Sequence, residues 1–215
     1  MSRDGSSTRE RILDAAERLV IDNGFAATSV DRVIADASSS KGAFFHHFQS
    51  KNDLAKALVE RYAAADRAHL DEAVAHVRAL DVDPAGRVLA FVELFERGAD
   101  ELMSAQSSCL YVSVLTERDL VNSGTTADIE PAITAWRDQL SRLLSEALPE
   151  EGTVDTDALA DHLFVTFEGA FILSRATGDK AHMRRQLHVL RQLLTSLLAR
   201  PHAASARAPK ARFNP

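Results

Sequence analysis

The chain has 215 residues, 46% of them hydrophobic and 26% charged, with a net charge of −6 at neutral pH, the balance of a soluble globular protein rather than a disordered or fibrous one. The acidic excess argues against indiscriminate coating of nucleic acid but leaves room for a local DNA-reading surface. Cys109 is the only cysteine, which excludes an internal disulfide and a multi-cysteine metal site; the charged start has no signal-peptide core and no run reaches the ~18 apolar residues of a membrane span, so a cytoplasmic protein without membrane contact is expected.

Helical periodicity dominates the chain. Ile12, Leu13, Ala16, Leu19 and Val20 recur at helix spacing before Gly24, predicting a first helix over Ser7–Asn23 with a glycine cap. Thr28-Ser-Val-Asp31 has the hydroxyl cap and following acid of a helix start, and Val30, Val33, Ile34 and Ala37 mark a short second helix ending near Asp36. A tight turn at Ala37-Ser-Ser follows, and Ser39 or Ser40 can cap a third short helix through Phe48. Ser50-Lys-Asn-Asp53 opens a fourth, striped by Leu54, Leu58, Tyr62 and Ala65 and continuing toward Leu80. Pro84 opens the fifth, with Val88, Phe91, Val92, Phe95 and Leu102 on one side. Further helices are expected over Ser108–Asp119, Ile129–Leu148, Asp155–Thr177 and Asp179–Arg200, with a loop at Asn122-Ser-Gly-Thr-Thr. The reading is all-α, about nine helices and no strand: a three-helix N-terminal domain over 1–52, a larger helical domain over 53–200, and a disordered basic tail over 201–215.

The stretch Ser38-Ser-Ser-Lys-Gly-Ala-Phe-Phe-His-His-Phe48 fits the second half of a helix-turn-helix, whose second helix enters the major groove. Phe44 and Phe48 can face the core with Val30, Ile34 and Leu19, leaving Ser40, Lys41 and Ala43 outward. Gly42 and Ala43 permit close approach to base edges, and Lys41 can donate to guanine or phosphate. Helix starts favour phosphate, which suits Thr28 and Lys51. An ordinary helical hairpin would share this spacing.

The segment from Thr8 to Tyr62 closely resembles the N-terminal DNA-binding domain of the TetR family of bacterial repressors. The match rests on Thr28, Val30, Ile34, Ala35, Ala37, Ser40, Lys41, Gly42, His47, Phe48, Lys51 and Leu54. The resemblance implies that Thr28 and Lys51 bind phosphate, Lys41 and Gly42 meet base edges, and His47 holds a backbone phosphate. His46 stands where the family usually has a groove-facing aromatic, Phe45 replaces a tyrosine and its hydroxyl, and Ser38 and Ser39 replace the usual Gly-Val of the turn. The expected DNA contacts are therefore Thr28, Ser29, Ser38, Ser39, Ser40, Lys41, Gly42, Ala43, Phe45, His46, His47 and Lys51, on a double-stranded, palindromic operator in a bacterial cytoplasm.

Two later features complete the expectation. The last two helices carry apolar stripes wide enough to serve both core and interface, and the resemblance implies a homodimer through a four-helix bundle; Phe167, Ala170, Phe171, Leu187, Leu190, Leu194 and Leu197 are the expected contacts. Family members also hold an inducer among the middle helices, which points to an apolar or aromatic small molecule bound by Phe91, Phe95, Cys109, Tyr111, Trp136, His162, Phe164, Phe167 and Arg175. The segment Ser108-Cys-Leu-Tyr-Val resembles the G-C-L-x-V motif of a subgroup that includes multidrug, flavonoid and electrophile-responsive repressors, with Ser108 in place of its glycine and Arg175 where that subgroup can carry a lysine. Cys109 is thus either a reactive sensor or a buried wall. No catalytic constellation, cofactor motif or metal set is evident, and His69 and His76, near Asp66 and Glu72, read as a solvated helix face. A non-DNA-binding helical interaction module is the remaining rival.

Overall fold

The computed structural model describes residues 3–105, 109–148 and 154–199; the expected basic tail over 201–215, and Ser108, lie outside the described residues. The described chain is helical throughout: α1 (Arg3–Asn23), α2 (Val30–Asp36), α3 (Lys41–His47), α4 (Lys51–Arg78), α5 (Pro84–Ala105), α6 (Leu110–Leu115), α7 (Arg118–Asn122), α8 (Ile129–Ala147), α9 (Thr156–Thr177) and α10 (His182–Leu198). No described helix is long and apolar enough to cross a membrane.

The described residues form ten helices where about nine were expected, because the stretch after Ser108 is two short helices, α6 and α7. Glu117 adopts an extended backbone between α6 and α7, and its carboxylate accepts a hydrogen bond from the Ala26 amide at 3.2 Å. That long-range bond is invisible to local periodicity. The other helix starts follow local chemistry: the Ser40, Ser50 and Asp155 side chains accept from backbone amides at the starts of α3, α4 and α9. Gly178 closes α9 in the left-handed conformation, φ 73°.

At the start of α2 the cap is Ser29, which accepts from the Arg32 amide, and not Thr28. Thr28 is buried, its hydroxyl donating to the carbonyls of Leu19 (3.1 Å) and Gly24 (2.9 Å). It pins the α1–α2 connection instead of opening a helix to solvent.

Helices α1 to α3 enclose Ile12, Leu13, Ala16, Val33, Phe44 and Phe48, with Leu54 and Leu58 of α4 in the same cluster. The expected boundary at residue 52 therefore falls inside the first turn of α4, which runs unbroken from one half of the molecule into the other. In the larger half α10 packs on α5 and α9, and α8 packs on α4, α5 and α9. Arg61 of α4 adds a polar tie to the first half, reaching Glu10 (3.2 Å), Asp14 (2.7 Å) and Glu17 (2.6 Å) on α1.

The expected dimer contacts on α9 and α10 pack largely within the protomer. Ala170, Phe171, Leu187, Leu190 and Leu194 are buried within the protomer, and Phe167 and Leu197 are half-buried. They lie where α10 packs on α5 and α9, and α9 packs on α8. A second row points outward, with Val165, Ile172 and Leu173 on α9 and Val189 and Leu193 on α10 exposed.

Candidate functional site

The turn between α2 and α3 is a Schellman arrangement. The Ser39 amide donates to the Ile34 carbonyl (3.0 Å) and the Ser38 amide to Ala35 (3.1 Å). Ser38 sits in the left-handed region, φ 47°, where a glycine would fit without strain. Ser39 has its hydroxyl oxygen buried without a hydrogen-bond partner. Phe44 and Phe48 are fully buried beneath α3, with ring centroids 5.7 Å apart.

The outward face of α3 presents the expected reading residues. Ser40, Lys41, Gly42, Phe45 and His46 are exposed, Ala43 and His47 half-buried, and Ser29 and Ser38 flank them in the open. Phe45 is 48% exposed, a large apolar ring held in water on a basic, small-residue face. The His47 pKa is lowered by its partial burial and by the nearby charges of His46 and Arg9.

Two expected phosphate ligands are engaged inside the fold. Thr28 is turned inward as described. Lys51 lies over the Phe25 ring at 4.1 Å and donates to the Phe25 carbonyl at 2.6 Å; burial lowers its pKa, against the opposing effect of Glu117. Helix-start chemistry and the resemblance both suggested these roles, and the local packing gives both side chains protein partners.

A cavity of about 960 Å³ opens among α4, α5, α8 and α9, with Tyr111 of α6 in its wall. Of the expected ligand residues, Phe91, Phe95, Cys109, Tyr111, Trp136, Phe164 and Phe167 line it. His162 is exposed and does not, because it stands on the outward side of α9. Arg175 is also exposed; it borders a neighbouring space of about 290 Å³ that shares Cys109 and Glu168.

Sequence reasoning missed the polar centre of the cavity. Asp66, read as part of a solvated face with His69, His76 and Glu72, lines the cavity together with all three. Its Oδ2 accepts from the Tyr111 hydroxyl and from Trp136 Nε1, each at 3.0 Å. Glu168 lines it from α9, hydrogen-bonded to the Cys109 thiol, with Oε2 buried and without a partner. Burial raises the pKa of both carboxyls; hydrogen bonds from Tyr111 and Trp136 oppose the rise at Asp66, and that from Cys109 opposes it at Glu168. The charge of Asp66 adds to the rise at Glu168. Burial and Glu168 together hold the Cys109 thiol well above its usual range. Among the described residues no group of three or more ligating side chains could hold a metal ion. The signal that could have exposed Asp66 was the stripe of α4: Tyr62 and Ala65 were assigned inward, and Asp66 and His69 lie on the same side of that helix.

Residues 12–58 match the family described as bacterial regulatory proteins, tetR family, and residues 84–190 match the tetracyclin repressor-like C-terminal domain. The transcriptional regulator AcuR of Cereibacter sphaeroides is 26% identical over 178 residues, covering 80% of this chain and 78% of the relative. The HTH-type transcriptional repressor NemR of Escherichia coli is 35% identical over 65 residues, 30% of this chain and 33% of the relative. Among solved structures, a TetR transcriptional regulator from Chloroflexus aurantiacus superposes with a TM-score of 0.73 at 26% identity, over 90% of this chain and 96% of that one. The reduced form of E. coli NemR superposes with a TM-score of 0.69 at 22% identity, over 86% of this chain and 95% of that one. A helix-turn-helix head with an exposed α3, a helical body enclosing a cavity, and two adjacent matches that together run over most of the chain lead to one assignment: the protein belongs to the TetR family of DNA-binding transcriptional regulators, which are not enzymes.

Proposed function

We propose that the protein is a homodimeric repressor that binds a palindromic operator through α3 and is released from it by a small molecule in the cavity. The observation that carries this reading is the position of the cavity. Its wall residue Arg61 bonds α1, and α6, whose Tyr111 lines the cavity, leads directly into Glu117, which bonds the α1–α2 connection. An occupant therefore touches the elements that orient the reading helix. The sign, repression, follows relatives such as NemR, whose name states it. The exposed row of Val165, Ile172, Leu173, Val189 and Leu193 supports dimerisation through α9 and α10, and a dimer doubles the sequence read on a two-fold site.

The test is binding to fragments upstream of the protein's own gene, measured against salt. Saturable, sequence-specific binding by a dimer is expected. Lys41→Ala should relax specificity at one position at a cost of about 1–3 kcal/mol, and equal sequence profiles for the two proteins would remove Lys41 from base reading. Ile172→Glu with Leu193→Glu should yield a monomer by light scattering.

Electrophile sensing through Cys109 is the weaker second reading. A sensor thiol needs a lowered pKa and a cationic neighbour, whereas Cys109 is buried beside a carboxyl and its pKa is raised. Equal operator release by a maleimide in wild type and Cys109→Ser is the expected result.

A further inference from the structure

Resting on the reading of the cavity as an inducer site, we infer that its ligand is an organic cation, a protonated amine or quaternary ammonium with an apolar body. The cavity combines aromatic walls with a surplus of acid. Trp136 lies 6.1 Å from Phe91 and 5.5 Å from Phe95, centroid to centroid, and Phe167 is 5.8 Å from Phe95. Such ring clusters bind ammonium groups through their negative faces. Asp66 and Glu168 line the same cavity, and the charge of Asp66 adds to the cost of ionising Glu168.

The two carboxyls are prepared differently. Asp66 is fixed by two donors on a single oxygen, so its orientation is set before any ligand enters. Glu168 keeps a buried oxygen with no donor at all, and an unsatisfied buried acceptor costs free energy until something fills it. A neutral hydrocarbon would desolvate both groups further and satisfy neither. An anion would meet them with like charge. The one arginine at the cavity, Arg61, is already held by three acids of α1, and His69 rests edge-on against Phe95. A cation answers the uncompensated acidity, and a protonated amine supplies the missing donor as well.

Trp136 is the only tryptophan of the chain, so its fluorescence reports binding directly. The probes are phenylpropyltrimethylammonium, its uncharged tert-butyl isostere and phenylbutyrate, each titrated into the full-length protein. The cation should bind at least about tenfold more tightly than either of the others. Glu168→Gln and Asp66→Asn, verified as folded by circular dichroism, should each erase that preference and leave the isostere's affinity within about twofold. Equal or tighter binding of the uncharged or anionic probe overturns the inference, as does cation binding that neither substitution weakens, or no saturable response to any probe. Operator release is read separately. If the isostere or phenylbutyrate binds best and frees the DNA, the charge assignment fails and the inducer site stands. If the cation binds with the stated selectivity but leaves the operator occupied, the charge assignment stands and release by this cavity fails.

Discussion

Around α2 and α3 the large apolar side chains point inward, Phe45 excepted, and the charged groups lie outside; around the cavity two carboxyls lie inside among aromatic rings. The first arrangement buries Phe44 and Phe48 to give one rigid shape, as a surface that must match DNA requires. The second forgoes close packing and full hydrogen bonding, which leaves free energy for a ligand to recover. Within one chain, rigidity and receptivity are thus set by where polar atoms are allowed to sit.

The contrast can be broken most forcefully at α3. Phe44→Ala should destabilise the protein by about 3–5 kcal/mol, through a cavity at a fully buried position, and thermal or urea unfolding would measure it. Phe45→Ala, one residue away but exposed, should stay within about 0.5 kcal/mol of wild type while weakening operator binding. The cavity should respond in the opposite direction. Glu168→Met removes a buried, unsatisfied acceptor and should stabilise the fold by about 1–3 kcal/mol.

The same carboxyl gives a pH signature. Because the pKa of Glu168 is raised in the folded state, the folded protein keeps its proton when the unfolded chain has lost it. Its stabilising effect is therefore fullest below the ordinary carboxylate range and is lost as pH rises through the folded-state value. Glu168→Gln cannot titrate, so urea midpoints of the variant should gain on those of wild type between mildly acidic and neutral pH. Asp66, raised in the same direction, should leave a residual slope of the same sign in the variant. The gentlest changes lie in the turn. Ser38→Gly relieves a left-handed serine and Ser39→Val removes a buried lone hydroxyl; each should add about 1 kcal/mol, without altering the exposed face of α3.

The head was the legible part because its information is local. Serine caps, the spacing of Val33, Phe44 and Phe48, and the acids after the Ser29 and Ser50 caps lie within a few residues of the structure they specify. Even there, adjacent hydroxyls were exchanged: Thr28 and Ser29 differ in role only because Leu19 and Gly24 offer carbonyls to the former. The cavity depends on which sides of α4, α5, α8 and α9 meet, and that is decided by residues far apart in sequence. The family resemblance pointed to the aromatic walls, yet neither it nor periodicity could tell that Asp66 and His69 line a void rather than face solvent. Periodicity could not tell that Leu187, Leu190 and Leu194 look inward while Val189 and Leu193 look out. The break at Glu117 was likewise set by a partner from residue 26.

That partner has a mechanical consequence. The Phe25 carbonyl, which receives Lys51, and the Ala26 amide, which reaches Glu117, belong to one peptide group. A single rigid plane is therefore held at one edge by an ammonium from the long α4 rod and at the other by a carboxylate from the α6–α7 joint. Turning that plane about its flanking bonds strains both grips, so the head swivels on the body only by releasing one of them. Ala26 is itself exposed, and the rate at which its amide proton trades with solvent becomes a gauge of how firmly head and body are clasped.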